Sequence, residues 1–186
     1  MTAFIVLVAI AVICIVVYNG LISKQVEVKN SWSQIDVQLK RRHDLIPNLV
    51  ETVKGYAQHE KETLERVIKA RNSAVSAGQS SSVAQTSQAE NFLTGALRQI
   101  FALSENYPDL KANQNFAQLQ EEIGSTENRI GFARQHYNDS VAVYNTAIRQ
   151  FPGNLVSMFG RFQPAQFYEL DQAEVQAVRE TPKVSF

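Results

Sequence analysis

Residues 116–151 read FAQLQEEIGSTENRIGFARQHYNDSVAVYNTAIRQF. Phe116, Ile123, Ile130, Tyr137, Tyr144 and Phe151 stand seven apart, and Leu119, Thr126, Ala133, Ser140 and Ala147 fill the intervening four-three positions. A seven-residue apolar repeat returns one stripe of an α-helix to the same side every two turns, so the stretch predicts a long helix with a buried seam. One edge of that seam is large and the other mostly small, which suits interdigitation with large side chains of neighbouring helices. No proline interrupts the repeat until Pro152 and Gly153, which predicts a helix of about 38 residues, about 57 Å long.

The same spacing occurs earlier, at Trp32, Ile35, Leu39, Ile46, Leu49, Val53 and Tyr56 and on to Leu64 and Val67, ending in the Ser-rich SAGQSSS of 76–82. Pro47, with Asp44 as a possible N-cap, permits a kink or a break. The seven-residue step from Leu39 through Ile46 to Val53 favours the kink. A helix from about Val83 to Asn106 is predicted between these segments, with Ser87 and Glu90 at capping-box spacing and Phe92, Leu93, Leu97, Ile100 and Phe101 facing inward; Tyr107-Pro108-Asp109 closes it. No strand or hairpin pattern competes. The expected fold is all-α, an antiparallel bundle of three to four long helices with a partly disordered tail over 161–186.

From Ala3 to Val17 every side chain is apolar, and Leu21 and Ile22 extend the run past Tyr18, Asn19 and Gly20. About 20 such residues match the ~30 Å hydrocarbon core of a bilayer. The start lacks the positive charge and the exit lacks the small-residue pattern of a cleaved signal peptide, so residues 1–23 are expected to be a permanent transmembrane anchor and 24–160 the helical-bundle domain. Lys24, Lys29, Lys40, Arg41 and Arg42 follow the span and no charged side chain precedes it. The positive-inside rule then places the N-terminus outside and the body in the cytoplasm, at the inner membrane of a bacterial cell.

Lys+Arg and Asp+Glu each total 18, so no net field favours nucleic acid. The single cysteine, Cys14, lies in the apolar run and supports neither a disulfide framework nor a thiolate metal site. His59-Glu60 opens a zinc-protease pattern, but Thr63 stands where the second histidine belongs. No phosphate-binding loop or nucleophile elbow occurs, and no glutamate has a histidine three residues on, as a carboxylate metal bundle needs. His43, His59 and His136 read as surface histidines, and Glu121, Glu122 and Glu127 as solvated or salt-bridged carboxylates. These residues point to no catalytic, cofactor or metal site.

The basic run Lys40-Arg41-Arg42-His43 stands about 27 Å beyond Ile22 along a straight helix, past the ~8 Å reach of headgroup charge. Asp36 and Asp44 lie at helix-neighbour spacing from Lys40, which reads as a locally neutralised face. Arg42 differs: it occupies a seam position between Leu39 and Ile46 and needs a partner from another helix, for which Glu127 or a carboxylate of the C-terminal cap is the candidate. The polar stripe Lys40, Arg41, Asp44 and Asn48, beside Glu127, Arg134, Asn138 and Asn145, is the candidate partner-binding face. The competing reading places a small-ligand or enzymatic site inside the bundle, where Arg42, Glu127, Asn128 and Arg129 would converge.

The stretch WSQIDVQLKRRHDLIPNLVETVKGYAQHE (32–60), with ENYPDLKANQNFAQLQEEIGSTENRIGFARQHYNDSVAVYN (105–145) and FPGN (151–154), closely resembles the LemA family of bacterial proteins. The resemblance runs over nearly the whole chain, including the N-terminal run and Tyr18-Asn19. It implies one membrane helix followed by a cytoplasmic helical bundle, and no catalytic residues. It also implies company: some members accompany an HtpX-type membrane metalloprotease, and a magnetosome relative acts in building an internal membrane. The expected function is therefore a non-enzymatic scaffold or adaptor, single-pass in the lipid bilayer, that binds membrane proteins or further copies of itself, with no cofactor and no nucleic acid.

Overall fold

The computed structural model describes residues 1–57, 59–80 and 82–169. Among these are six helices, α1 (Thr2–Lys54), α2 (Lys61–Gln79), α3 (Val83–Ser104), α4 (Pro108–Lys111), α5 (Gln114–Ala147) and α6 (Gly153–Gly160), and no strand. The chain divides into two compact units, Met1–Val37 with Ile130–Phe167 and Gln38–Arg129 with the segment from Tyr168. Helices α1 and α5 each contribute to both units.

Pro47 lies within α1 without ending it. A proline removes one backbone bond, and the burial of Leu39, Ile46, Leu49 and Val53 around it supplies enough apolar stabilisation to carry the helix through. The break comes instead after Lys54, where the apolar stripe continues and no proline stands. Gly55, a poor helix former, begins a turn in which the N–H groups of Tyr56 and Ala57 both donate to the Val53 carbonyl, at 3.0 and 2.9 Å. Ala57 is buried there and Tyr56 is exposed.

The second unit has its core where Ile46, Leu49, Val50 and Val53 of α1, Leu64, Val67, Ala70 and Ala74 of α2, Leu93, Ala96, Leu97 and Ile100 of α3, and Leu110, Phe116 and Ile123 meet. Phe101 and Phe116 touch edge to face, with ring centroids 6.5 Å apart. Ser82, not Ser87, is the N-cap of α3: its hydroxyl accepts from the Gln85 N–H. The capping box expected from Ser87 and Glu90 does not form, since both side chains are buried. Phe92, expected inside, is exposed because it lies off the Leu93–Leu97–Ile100 stripe.

In the first unit Leu21, Tyr144 and Ile148 form a core with Val17, Val28, Ala147, Val156, Phe162 and Ala165 against it, and Trp32 meets Tyr137 edge to face at 5.3 Å. The long helix α5 keeps its seam: Phe116, Ile123, Ile130, Tyr137 and Tyr144 are all buried. It ends at Ala147, short of Phe151, which is exposed. Residues 162–166 are strapped along α5. Tyr137 Oη donates to the Gln166 carbonyl at 2.8 Å and Tyr144 Oη to that of Gln163 at 3.0 Å, while Asn145 donates to and accepts from the backbone of Ala165, both at 2.9 Å. The partly disordered tail expected from the sequence lies, from residue 170 onward, outside the described residues.

The N-terminal part of α1 is long and apolar enough to cross a membrane. Residues 2–16 are exposed, and Val17 is the first residue with protein packed on it. A chain beginning at Val17 is therefore expected to keep the circular dichroism and melting curve of the full chain in detergent. One beginning at Lys24 also loses Leu21, which is 3% exposed, and should lose about 1.5–3 kcal/mol. Equal melting of the two truncated chains would show that Leu21 contributes nothing to the core.

Candidate functional site

Three helices of the second unit, α1, α3 and α5, meet at one guanidinium. Arg42 sits on α1 one turn from Leu39 and from Ile46, a placement that buries its side chain with theirs, and it is 1% exposed. On α3, Glu90 and Thr94 are four apart and share a face, and Glu90 continues the apolar stripe of Leu93 and Leu97 into the core. Glu127 approaches from α5. The Arg42 fork uses both terminal nitrogens: Nη1 donates to Glu127 Oε2 and, at 3.0 Å, to Thr94 Oγ1, and Nη2 donates to Glu90 Oε2. The second oxygen of Glu90 lies 2.7 Å from His43 Nε2. A carboxylate only accepts, so that ring nitrogen carries the proton. Arg71 Nε, from α2, donates to the His43 backbone carbonyl at 3.0 Å, which ties a further helix to the same turn of α1.

Electrostatics follow from this geometry. Burial opposes ionisation of Glu90, but the His43 hydrogen bond and the Arg42 charge outweigh it and hold the carboxyl below the ordinary glutamate range. Burial likewise opposes the charge on Arg42, and Glu127 and Glu90 outweigh it, raising the guanidinium above its ordinary value. Glu90 and Arg42 are sealed from water, whereas the Glu127 side chain keeps 33% of its surface. The network is thus a charged cross-link between α1, α3 and α5 with one solvent-facing edge.

The expected pair Arg42 and Glu127 are in contact; Thr94, Glu90 and His43 complete the cluster, the last two of which the sequence pattern assigns to a capping box and to the surface. His43, read as a surface residue, is buried because it shares a turn with Arg42 and finds Glu90. Asn128 and Arg129, which the ligand-site reading required to converge, are exposed. Of the polar stripe, Lys40, Arg41, Asp44 and Asn48 are all exposed on α1. Lys40 pairs with Asp44 at 2.7 Å, and Arg41 stands 3.8 Å from Glu122. The other half of the stripe does not form a continuous open face: Glu127 is held by Arg42, Arg134 and Asn138 are half-buried, and Asn145 is committed to the backbone of Ala165. Among the described residues no three His, Cys, Asp or Glu side chains gather as metal ligands would. A groove of about 780 Å³ runs along α3, with exposed Phe92 among the amides of Gln85, Gln88, Asn91 and Gln99.

The sequence matches the LemA family model over residues 31–186, a region that contains Arg42, Glu90 and Glu127 and excludes the apolar run. The chain belongs to the LemA family. It is similar to the protein LemA of Metamycoplasma hominis, at 32% identity over 141 residues covering 75% of this chain and 63% of that protein. It is also similar to magnetosome protein MamQ of Magnetospirillum gryphiswaldense, at 22% over 174 residues, 81% of this chain and 64% of that one. Magnetosome protein MamQ 2 of Paramagnetospirillum magneticum matches at 21% over 175 residues, 82% and 64% of the two chains. This LemA-family chain thus spans slightly less than two thirds of the length of these curated relatives. With the apolar segment of α1, the family places it as a membrane-associated helical protein.

Proposed function

We propose that the chain is a single-pass, membrane-anchored scaffold that holds protein partners at the cytoplasmic face of a bacterial membrane. The observation that carries this reading is the distribution of charge in the bundle. Its most strongly interacting charged groups, Arg42 and Glu90, are sealed and spent on one another, while Lys40, Arg41, Asp44 and Asn48 stand open on the same helix. A sealed cross-link serves rigidity; an open charged rim serves encounter and specificity with a partner. The 53-residue helix α1 carries both the apolar segment and this rim, so partners bound there are membrane proteins or proteins brought to the membrane. The lysines and arginines after the span favour the body inside, and a reporter active only outside the cytoplasm, fused after Phe186, is expected to stay dark.

The test is a crosslinking pull-down from detergent-solubilised membranes with the full chain and with Arg41→Ala/Asp44→Ala/Asn48→Ala. Each change should alter stability by no more than about 0.5 kcal/mol, and capture of the partner should fall and lose its salt dependence. Undiminished capture by the triple variant removes this face from the proposal.

A further inference from the structure

We infer that α6 is a second membrane contact, an interfacial helix whose apolar face enters the headgroup region beside the span. This rests on the reading that α1 crosses the bilayer. Within α6, Leu155, Met158 and Phe159 fall on one face at helical spacing and are 50%, 68% and 82% exposed, and Phe151 just before it is 80% exposed. The opposite face is the packed one, with Gly153 and Ser157 buried. Three large apolar side chains on one face of an eight-residue helix, with Phe151 exposed just before it, form a patch that water disfavours and that needs an occupant.

The position of α6 names that occupant. Val156 and Phe162 pack against the cluster of Leu21, Tyr144 and Ile148, together with Val17. Tyr18 and Phe162 meet edge to face at 5.5 Å. A Cβ on Gly153 would fall 2.1 Å from the Ala147 carbonyl oxygen and 3.8 Å from Leu21, so only glycine lets α6 begin this close to α5 and to the foot of the span. The helix therefore lies at the level of residues 17–21, where the apolar run gives way to Tyr18, Asn19 and Gly20, the depth at which aromatic side chains mark the membrane–water boundary. Charge agrees: no acidic residue occurs between Asp139 and Glu169, and Arg149 and Arg161 flank the helix, which suits an anionic headgroup layer. A helix docked to a span at this depth faces lipid before it faces any other molecule.

The experiment uses the full chain in vesicles of phosphatidylcholine and phosphatidylglycerol. An environment-sensitive fluorophore is placed on native Cys14 or, in a Cys14→Ser background, on Phe159→Cys, Leu155→Cys or Gln34→Cys. Bromine on the lipid acyl chains, near the headgroup or deep, quenches by contact. The expected result is loss of emission at Phe159→Cys and Leu155→Cys, larger with shallow than with deep bromine, as for a helix buried ~5–10 Å into the boundary. Cys14 should be quenched most by deep bromine and Gln34→Cys not at all. Quenching at Cys14 with none at Phe159→Cys overturns the inference and leaves the span intact. No quenching at Cys14 removes the span, and the inference with it. Unquenched Phe159→Cys that crosslinks to its equivalent in another copy assigns the face to self-association and likewise overturns it.

Discussion

Glu90→Ala is expected to lower the free energy of unfolding by about 3–5 kcal/mol, because it strips the buried Arg42 guanidinium of one of its two carboxylates and His43 of its acceptor. The cost is that of a stranded charge, not the worth of the pair. Arg42→Met combined with Glu90→Leu, which removes both charges and refills the space, is therefore expected to recover most of it. Glu127, one-third exposed, can turn to water in that variant. The two measurements are urea unfolding curves in detergent, and a double variant no better than Glu90→Ala would mean that the network carries the fold by itself. Acid supplies the same test by titration. The folded-state pKa of Glu90 is depressed below its ordinary 4.5, so its contribution is complete above that pH and is lost as pH falls through the depressed value. The gap in stability between wild type and the double variant should then shift against the wild type below about pH 4.5; a shift in the other direction would mean that Glu90 is not the titrating group.

Ile130→Asp is expected to abolish cooperative unfolding altogether. Ile130 is 1% exposed on the large edge of α5, and a carboxylate placed there without a partner costs several kcal/mol, on the order of the whole ~5–15 kcal/mol margin of a domain. Phe132→Asp, two residues on and 73% exposed, is the matched control and should shift the melting point little. Comparable melting of the two variants would place Ile130 at the surface.

The α5 seam was legible in the sequence because its repeat is long and uninterrupted, and a helix that returns the same face to the core five times leaves no other economical fold. Arg42 was legible for the complementary reason: a charge inside an apolar stripe demands a partner. Glu90 carries the same signal, standing in line with Leu93, Leu97 and Ile100, but its spacing from Ser87 imitates a capping box, and local pattern cannot tell a cap from a core carboxylate. The end of α1 was hidden because Gly55 weakens a helix without forbidding it, and the break is decided by packing of Ala57 and of α2 on α3. The strap over 162–166 leaves no periodic trace at all, since Tyr137 and Tyr144 hold it by their hydroxyl tips while their rings obey the heptad.

That strap is recognised through its main chain. Every bond it receives from Tyr137, Tyr144 and Asn145 ends on a carbonyl or an N–H of Gln163, Ala165 or Gln166, and none uses position 164, where proline has no N–H to offer. The exposed side chains of Gln163 and Gln166 are consequently free to vary, whereas Phe162 and Ala165 pack on the cluster of Leu21, Tyr144 and Ile148, and the length of the strap is fixed. A single inserted residue between 163 and 166 moves every later acceptor out of register, so relatives can be expected to differ here by replacement and to agree in spacing.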